Sequence, residues 1–284
     1  MLLNPLTFHA PATAGEAAKL ISSLEDVKIL AGGTFLLNSL KLSKRKGRKT
    51  PRNIVSLRKI PDLKGVLLTG DTLTIKAMTT VNELFDSPLL KDNFRVLKTV
   101  CRNISTNPIR NMATIGGNLT CRYTWTEFGA AMIALDAQMH FIGTDGKEEI
   151  VSAEDFFKNA AKTEKIFTHV TIKHDKTAAI AYRRVKKSST VDIPLLALCV
   201  KTYFKEKKFS DTRVALNNGV SFAQRDFKLE EFLNQSDSTS GVAQEALSHL
   251  TTDIYDTRSD DYKKEIFRRS LKSAIEELTQ GKSQ

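Results

Sequence analysis

Ala31-Gly32-Gly33-Thr34-Phe35-Leu36-Leu37 follows directly on a short apolar run, Val27 to Leu30, and a second glycine pair stands further along in Ala113-Thr114-Ile115-Gly116-Gly117-Asn118-Leu119. Leu36, Leu37 and Leu40 predict a helix just behind the first pair, so the local order reads strand, glycine turn, helix. Adjacent glycines permit φ > 0 and expose successive backbone N–H groups, which can cradle a pyrophosphate without a basic side chain. A helix N-terminus behind them adds partial positive charge. By itself a Gly-Gly turn is ordinarily structural, and neither pair fits a common phosphate loop. GxGxxG is missing after the first strand, as is GxxxxGK[ST] anywhere, which leaves a Rossmann or P-loop site unsupported. GxSxG and HExxH are absent too, removing two hydrolase signatures.

Working outward, Ala17, Leu20, Ile21 and Leu24 fall at helical spacing, so Ala14 to Leu24 reads as an opening amphipathic helix. Ile54, Val55 and Leu57 read as a strand after a basic loop and Pro51. Val66 to Met78 alternates apolar and polar residues about Gly70-Asp71, a hairpin pattern. Val81 to Leu90 and Asn93 to Ile104 look helical, and the second glycine pair sits in a polar loop behind them. Phe128, Ala131, Met132 and Leu135 return to helical spacing, and Met139 to Val151 reads as a hairpin turning at Asp145-Gly146. Leu195 to Phe204 and Arg213 to Leu216 read as strands of a smaller antiparallel sheet. Ser236 to Gly241 reads as a flexible connection. A final helix, about Asp260 to Leu278, presents Tyr262, Ile266, Phe267, Leu271, Ala274, Ile275 and Leu278 along one core-facing side.

The 284 residues allow about two domains, and no apolar run reaches the ~18 residues of a membrane helix. The N-terminal stretch lacks a basic start and an apolar core, so the expectation is a cytoplasmic protein without a signal peptide. On that expectation the sequons Asn103-Ile104-Ser105 and Asn118-Leu119-Thr120 are decoys. Cys101, Cys121 and Cys199 form no CxxC pair and read as reduced thiols, neither a disulfide framework nor an iron–sulfur or zinc site. The net charge of +11 is concentrated in Lys41, Lys44, Arg45, Lys46, Arg48, Lys49 and Arg52. That run has no aromatic residue on which a base could stack, so a solvated loop, or next a docking surface for an acidic partner, is expected ahead of nucleic acid. His9, His140, His169, His174 and His249 show no metal-ligand spacing supported by other ligands and lie outside both glycine stretches, so no metal is expected.

The two glycine strings together resemble the two FAD loops of the xanthine dehydrogenase and carbon monoxide dehydrogenase flavoproteins, the medium subunits of molybdenum hydroxylases. Pro51-Arg52-Asn53-Ile54-Val55-Ser56-Leu57-Arg58-Lys59-Ile60-Pro61-Asp62-Leu63 resembles that family as well. So does Leu73-Thr74-Ile75-Lys76-Ala77-Met78-Thr79-Thr80, although the family more often has glycine at the Lys76 position. Tyr182-Arg183-Arg184-Val185 and Asp192-Ile193-Pro194 resemble the start of its C-terminal domain. These ordered matches cover most of residues 1–200.

The resemblance implies an α+β architecture: an FAD-binding domain of two α/β subdomains over 1–176, breaking near 55–60, then a C-terminal domain over 177–284 with a small antiparallel sheet and helices. It implies that Ala31, Gly32, Gly33, Thr34, Phe35, Leu36, Leu37 and Asn38, with Thr114, Ile115, Gly116, Gly117 and Asn118, wrap the pyrophosphate and ribityl chain. Ile104 falls at an apolar cofactor contact and Phe167 at another near the isoalloxazine ring. Arg184 occupies the position of a flavin-side lysine, where a cation stabilises the anionic reduced ring, though it also reads as an ordinary surface arginine. Glu127 stands where the family usually carries an Asp that accepts a hydrogen bond from the cofactor. Before it, Arg122-Tyr123-Thr124-Trp125 replaces a small residue and Pro, and Trp125 fits either flavin shielding or interface packing.

The same resemblance implies no catalytic residue in this chain. A large subunit with molybdenum cofactor hydroxylates a substrate, a small subunit with two [2Fe–2S] clusters passes on electrons, and FAD here delivers them to NAD, oxygen, quinone or another acceptor. The expected assembly is a heterotrimer. A stand-alone FAD oxidoreductase and a flavin-free assembly or scaffold subunit remain alternative readings.

Overall fold

The computed structural model describes residues 4–121, 126–159, 164–186, 188, 193–218, 220–252 and 261–280. The expectations for Arg122 to Trp125 and for Asp192 lie outside the described residues. Among those described, no helix is long and apolar enough to cross a membrane.

Three sheets organise the chain. The first is parallel, in the order β1-β3-β2, from β1 (Thr7–His9), β2 (Val27–Leu30) and β3 (Asn53–Ser56). Helix α1 (Ala14–Ser23) joins β1 to β2, and α2 (Leu36–Arg45) joins β2 to β3. Thr13 caps α1 by accepting the Glu16 N–H, and Glu16 accepts the Ala12 N–H in return. Its apolar side, with Ala17 and Ala18 fully buried, packs with Val55, Leu57, Ile60 and Ile166. Helix α2 carries Lys41, Lys44 and Arg45, so three of the seven cations expected in a loop are helical. Lys and Arg are good helix formers, and cations in the last turn oppose the helix dipole.

The second sheet is antiparallel in the order β4-β5-β8-β6-β7, from β4 (Val66–Thr69), β5 (Thr72–Lys76), β6 (Gln138–Ile142), β7 (Glu148–Ser152) and β8 (Ile166–Lys173). Both expected hairpins are present, turning at Gly70 and Gly146 with φ of 58° and 74°. Leu73 and Ile75 of β5 alternate with partly exposed neighbours, and that buried side meets α3 (Val81–Asp86), α4 (Arg95–Asn103) and α7 (Gly129–Ala134). A capping box between Thr80 and Glu83 starts α3. Two shorter helices, α5 (Asn107–Arg110) and α6 (Ile115–Thr120), lead to α7, and α8 (Ala153–Lys158) follows β7.

The third sheet, β12-β11-β10-β9, is antiparallel and built from β9 (Ala179–Lys186), β10 (Pro194–Lys205), β11 (Lys208–Asn217) and β12 (Gln224–Arg225). Strand β10 is buried almost throughout because both its faces are covered. Cys199 and Ala215 join the core of the second sheet, whereas Leu196, Leu198 and Val200 pack towards α9 (Phe227–Gln235), α10 (Val242–Glu245) and α11 (Asp261–Gln280). On α11, Phe267, Leu271, Ala274, Ile275 and Leu278 are buried, each large one contributing roughly 1.5–3 kcal/mol. Tyr262, expected on that side, is 62% exposed. The buried side begins one turn later, at Ile266 and Phe267. Ser236 to Gly241 is tied down rather than free: Ser236 accepts the Phe209 N–H, and Ser238 donates to the Lys207 carbonyl through both N–H and hydroxyl.

Candidate functional site

A cavity of about 1510 Å³ opens where the first two sheets meet the start of the third. Small-molecule cavities usually hold about 300–1,000 Å³, so this one has room for a dinucleotide-sized ligand. One wall is the turn between β2 and α2. There Ala31, Gly32, Gly33, Thr34, Phe35, Leu36 and Asn38 face the space, whereas Leu37 is off the wall and 41% exposed. Gly33 has φ of 79°, the left-handed backbone that favours glycine. Gly32 is needed for a different reason: a Cβ there would lie 1.9 Å from the Met112 carbonyl oxygen.

The N–H groups of Gly32, Gly33 and Thr34 make no hydrogen bond within the described residues. Behind them α2 starts at Phe35 without a side-chain cap. The arrangement is a run of open donors at the positive end of a ten-residue helix.

The second glycine pair differs from its sequence expectation. Gly116 and Gly117 lie inside α6, not in a polar loop, and neither has positive φ. Their N–H groups are already used, Gly116 donating to the Ala77 carbonyl and Gly117 to the Thr114 hydroxyl. Glycine is required at 116 by close packing, since a Cβ would sit 2.7 Å from the Ala77 oxygen. Thr114, Gly116, Gly117 and Asn118 still line the cavity, while Ile115 is fully buried in the core. The Asn118 side-chain oxygen is buried without a hydrogen-bond partner. A buried, unpaired carbonyl costs about 1–3 kcal/mol, so a ligand donor placed there relieves a real penalty.

Ile104 and Phe167 also line the space. Ile104 is held by Arg110, whose guanidinium donates to the carbonyls of Ile104 and Ser105 at 3.0 and 3.4 Å and to Asn82 Oδ1 at 3.0 Å. Ser105, at φ 44°, is a strained wall residue with no local sequence signal to mark it. Phe141, Phe156, Ile193 and Pro194 complete the apolar lining from three distant segments. The pairing of β6 with β8 brings Phe141 opposite Phe167. Cys121 is on the wall as well, and burial pushes its thiol up to about 11, so it is a neutral group rather than a nucleophile.

Glu127 reaches the wall from the turn into α7, which Asn217 anchors by donating to the Thr126 carbonyl. Arg184 on β9 does not line the cavity. Its guanidinium instead clasps Glu127, with Nε at 2.9 and 3.1 Å from the two carboxylate oxygens and a second nitrogen at 2.7 Å. The two side chains are 7% and 5% exposed. Burial pushes the Glu127 carboxyl above the usual range, and the hydrogen bonds and charge of Arg184 oppose that rise. Beside them the buried Tyr182 hydroxyl lacks a hydrogen bond of normal geometry. Its ionisation lies well above the ordinary value, through burial and then the Glu127 charge.

Open donors thus face a large and mostly apolar cavity. Residues 4–174 match the family model described as the FAD binding domain in molybdopterin dehydrogenase.

The chain belongs to this family.

It is an FAD-binding medium subunit of the molybdenum hydroxylase type, an oxidoreductase component, as the two glycine strings led us to expect. The carbon monoxide dehydrogenase medium chain of Hydrogenophaga pseudoflava is 29% identical over 278 residues, covering 94% of this chain and 95% of that one. The nicotine 6-hydroxylase medium subunit of Paenarthrobacter nicotinovorans is 25% identical over 96% of this chain and 99% of its own length. A solved carbon monoxide dehydrogenase structure from Hydrogenophaga pseudoflava superposes with a TM-score of 0.87 at 28% identity, over 97% of both chains. The α+β fold expected from the sequence is therefore the family fold.

Proposed function

We propose that this medium subunit is the electron-carrying component of a heterotrimeric molybdenum hydroxylase, with the cytoplasm as its setting. In this reading a large subunit with molybdenum cofactor oxidises the substrate, and a small subunit with [2Fe–2S] clusters supplies electrons here. NAD, oxygen, quinone or a similar carrier takes them away. FAD, when bound, supplies one-electron acceptance and two-electron release. The division of labour within the chain is FAD binding over 1–176, with a subdomain break near 55–60, and a C-terminal domain over 177–284.

The observation that carries the reading is the pairing of open N–H groups at Gly32 to Thr34 with the orphaned Asn118 oxygen across one cavity. The N–H groups hold pyrophosphate oxygens, with the α2 terminus adding its partial charge. Asn118 accepts a hydrogen bond from a cofactor hydroxyl. Ile104, Phe141 and Phe167 exclude water from the ring. Arg184 acts on the ring through Glu127, so the cofactor meets a polarised ion pair rather than a bare cation.

The test starts with the visible spectrum of the purified chain and chromatography of the released cofactor. Near one FAD per chain is expected, reduced by substrate only when both partner subunits are present. Asn118→Ala is expected to weaken FAD by about tenfold while leaving the cofactor-free protein no less stable, because the orphaned carbonyl is gone. A colourless chain that refuses added FAD refutes the proposal in favour of a scaffold role. Reduction by a small molecule without partners refutes it in favour of a stand-alone oxidoreductase.

A further inference from the structure

The outer face of the second sheet carries a cluster unconnected with the cavity. His140 on β6 and His169 on β8 are direct cross-strand partners, and their rings stack with centroids 4.0 Å apart. Glu148 on β7 places Oε1 at 3.1 Å from His140 Nδ1 and 4.0 Å from His169 Nε2. One donor atom from each of the three lies within 4.8 Å of the others.

A β-bulge creates this meeting. Between the pairs His140 with His169 and Phe141 with Phe167, strand β8 carries one extra residue, Thr168. The insertion lets Phe167 point into the core with Val170 and Ile172 while His169 stays on the outer face opposite His140. Without it the period of two would send Phe167 and His169 to the same side.

We propose that His140, Glu148 and His169 form a binding site for a divalent transition-metal ion of the zinc type. Two imidazoles and a carboxylate are the donor set of zinc sites with an open position, and suit cobalt, nickel and copper equally in kind. The His140 ring is oriented from behind, its Nε2 being 2.9 Å from the Thr171 hydroxyl, which leaves Nδ1 for the ion. His140 is 8% exposed, whereas the Glu148 side chain is 51% exposed, so the ion enters from the carboxylate side and completes its shell with water.

Burial first, and then the neighbouring His140, hold the His169 imidazole down to about 4, with Lys76 adding to the effect and Glu148 opposing it. Lys76 is the cross-strand partner of His169, and its charge moderates affinity for a cation. Metal–ligand bonds of about 2.0–2.2 Å require the stacked rings to tilt and the 4.0 Å contact to close. His169, at the less buried end, makes that movement. The bound ion ties three adjacent strands, β6, β7 and β8, at the edge of the FAD domain.

The test uses the full chain, stripped with a chelator and titrated with Zn²⁺ by calorimetry. One equivalent is expected, with a thermal midpoint that rises with Zn²⁺ concentration as linkage requires. His169→Gln and Glu148→Gln each lower the affinity at least about tenfold, leave flavin content unchanged and do not impair folding. His9→Gln leaves binding unaltered. As a reading independent of variants, Cu²⁺ bound at one equivalent shows coupling to two imidazole nitrogens in its paramagnetic resonance spectrum. Failure to saturate at one equivalent, or an equivalent that survives both substitutions, overturns the proposal.

Discussion

Replacing Glu127 by Ala isolates the energetics at the centre of the site. The carboxylate receives three hydrogen bonds of 2.7 to 3.1 Å from a guanidinium that is itself 5% exposed. Deleting the carboxylate removes three charge-assisted hydrogen bonds from a buried cation, a change that costs about 3–5 kcal/mol. Total stabilities are roughly 5–15 kcal/mol, so the loss is a large fraction of the whole. At roughly 2–4 °C per kcal/mol for large single chains, the midpoint of cofactor-free unfolding falls by roughly 6–20 °C. The companion double variant Glu127→Leu with Arg184→Met removes both charges and keeps volume, and is expected to regain most of the loss. The assay is thermal and urea unfolding of the cofactor-free chain for wild type, both single variants and the pair. A Glu127→Ala loss under about 1 kcal/mol, or a double variant no better than the single, refutes the view that the pair is held together by mutual burial.

Two further outcomes follow from local geometry. Gly32→Ala puts a Cβ where the Met112 carbonyl already lies, 1.9 Å away, so the turn must move off its support. Retained FAD should drop at least about tenfold with about 1–3 kcal/mol of stability, whereas Gly15→Ala, with open space in α1, gains about 0.5–1 kcal/mol; normal flavin absorbance in the Gly32 variant contradicts this account. The His169 imidazole is held to about 4 in the folded chain, against about 6.5 unfolded. The unfolded chain binds the proton that the fold refuses, so stability is full above about pH 6.5 and is lost as pH falls towards 4. The shift corresponds to about 3 kcal/mol, which partial solvent access reduces to about 1–2 kcal/mol. His169→Gln should flatten urea midpoints across that range, and an unchanged slope counts against the assignment.

Residue order alone determined the family, because Ala31-Gly32-Gly33-Thr34 and Thr114-Ile115-Gly116-Gly117-Asn118 are local strings whose spacing survives in one chain. Hairpins at Gly70 and Gly146, and helices with regular apolar spacing such as α1 and α4, were legible for the same reason, since their signals are confined to neighbouring residues. Strand β8 was harder to read: its bulge breaks the alternation by one residue at Thr168. The roles of the glycines also needed the fold. Gly33 is set by its own backbone angle, but Gly32 and Gly116 are set by carbonyls of Met112 and Ala77, residues far off in sequence. Arg184 and Glu127 were each placed beside the cofactor by resemblance, yet their mutual clasp depends on β9 docking against the turn into α7. The His140, Glu148 and His169 cluster likewise has no sequence spacing to announce it, because sheet pairing sets cross-strand distance without regard to separation along the chain.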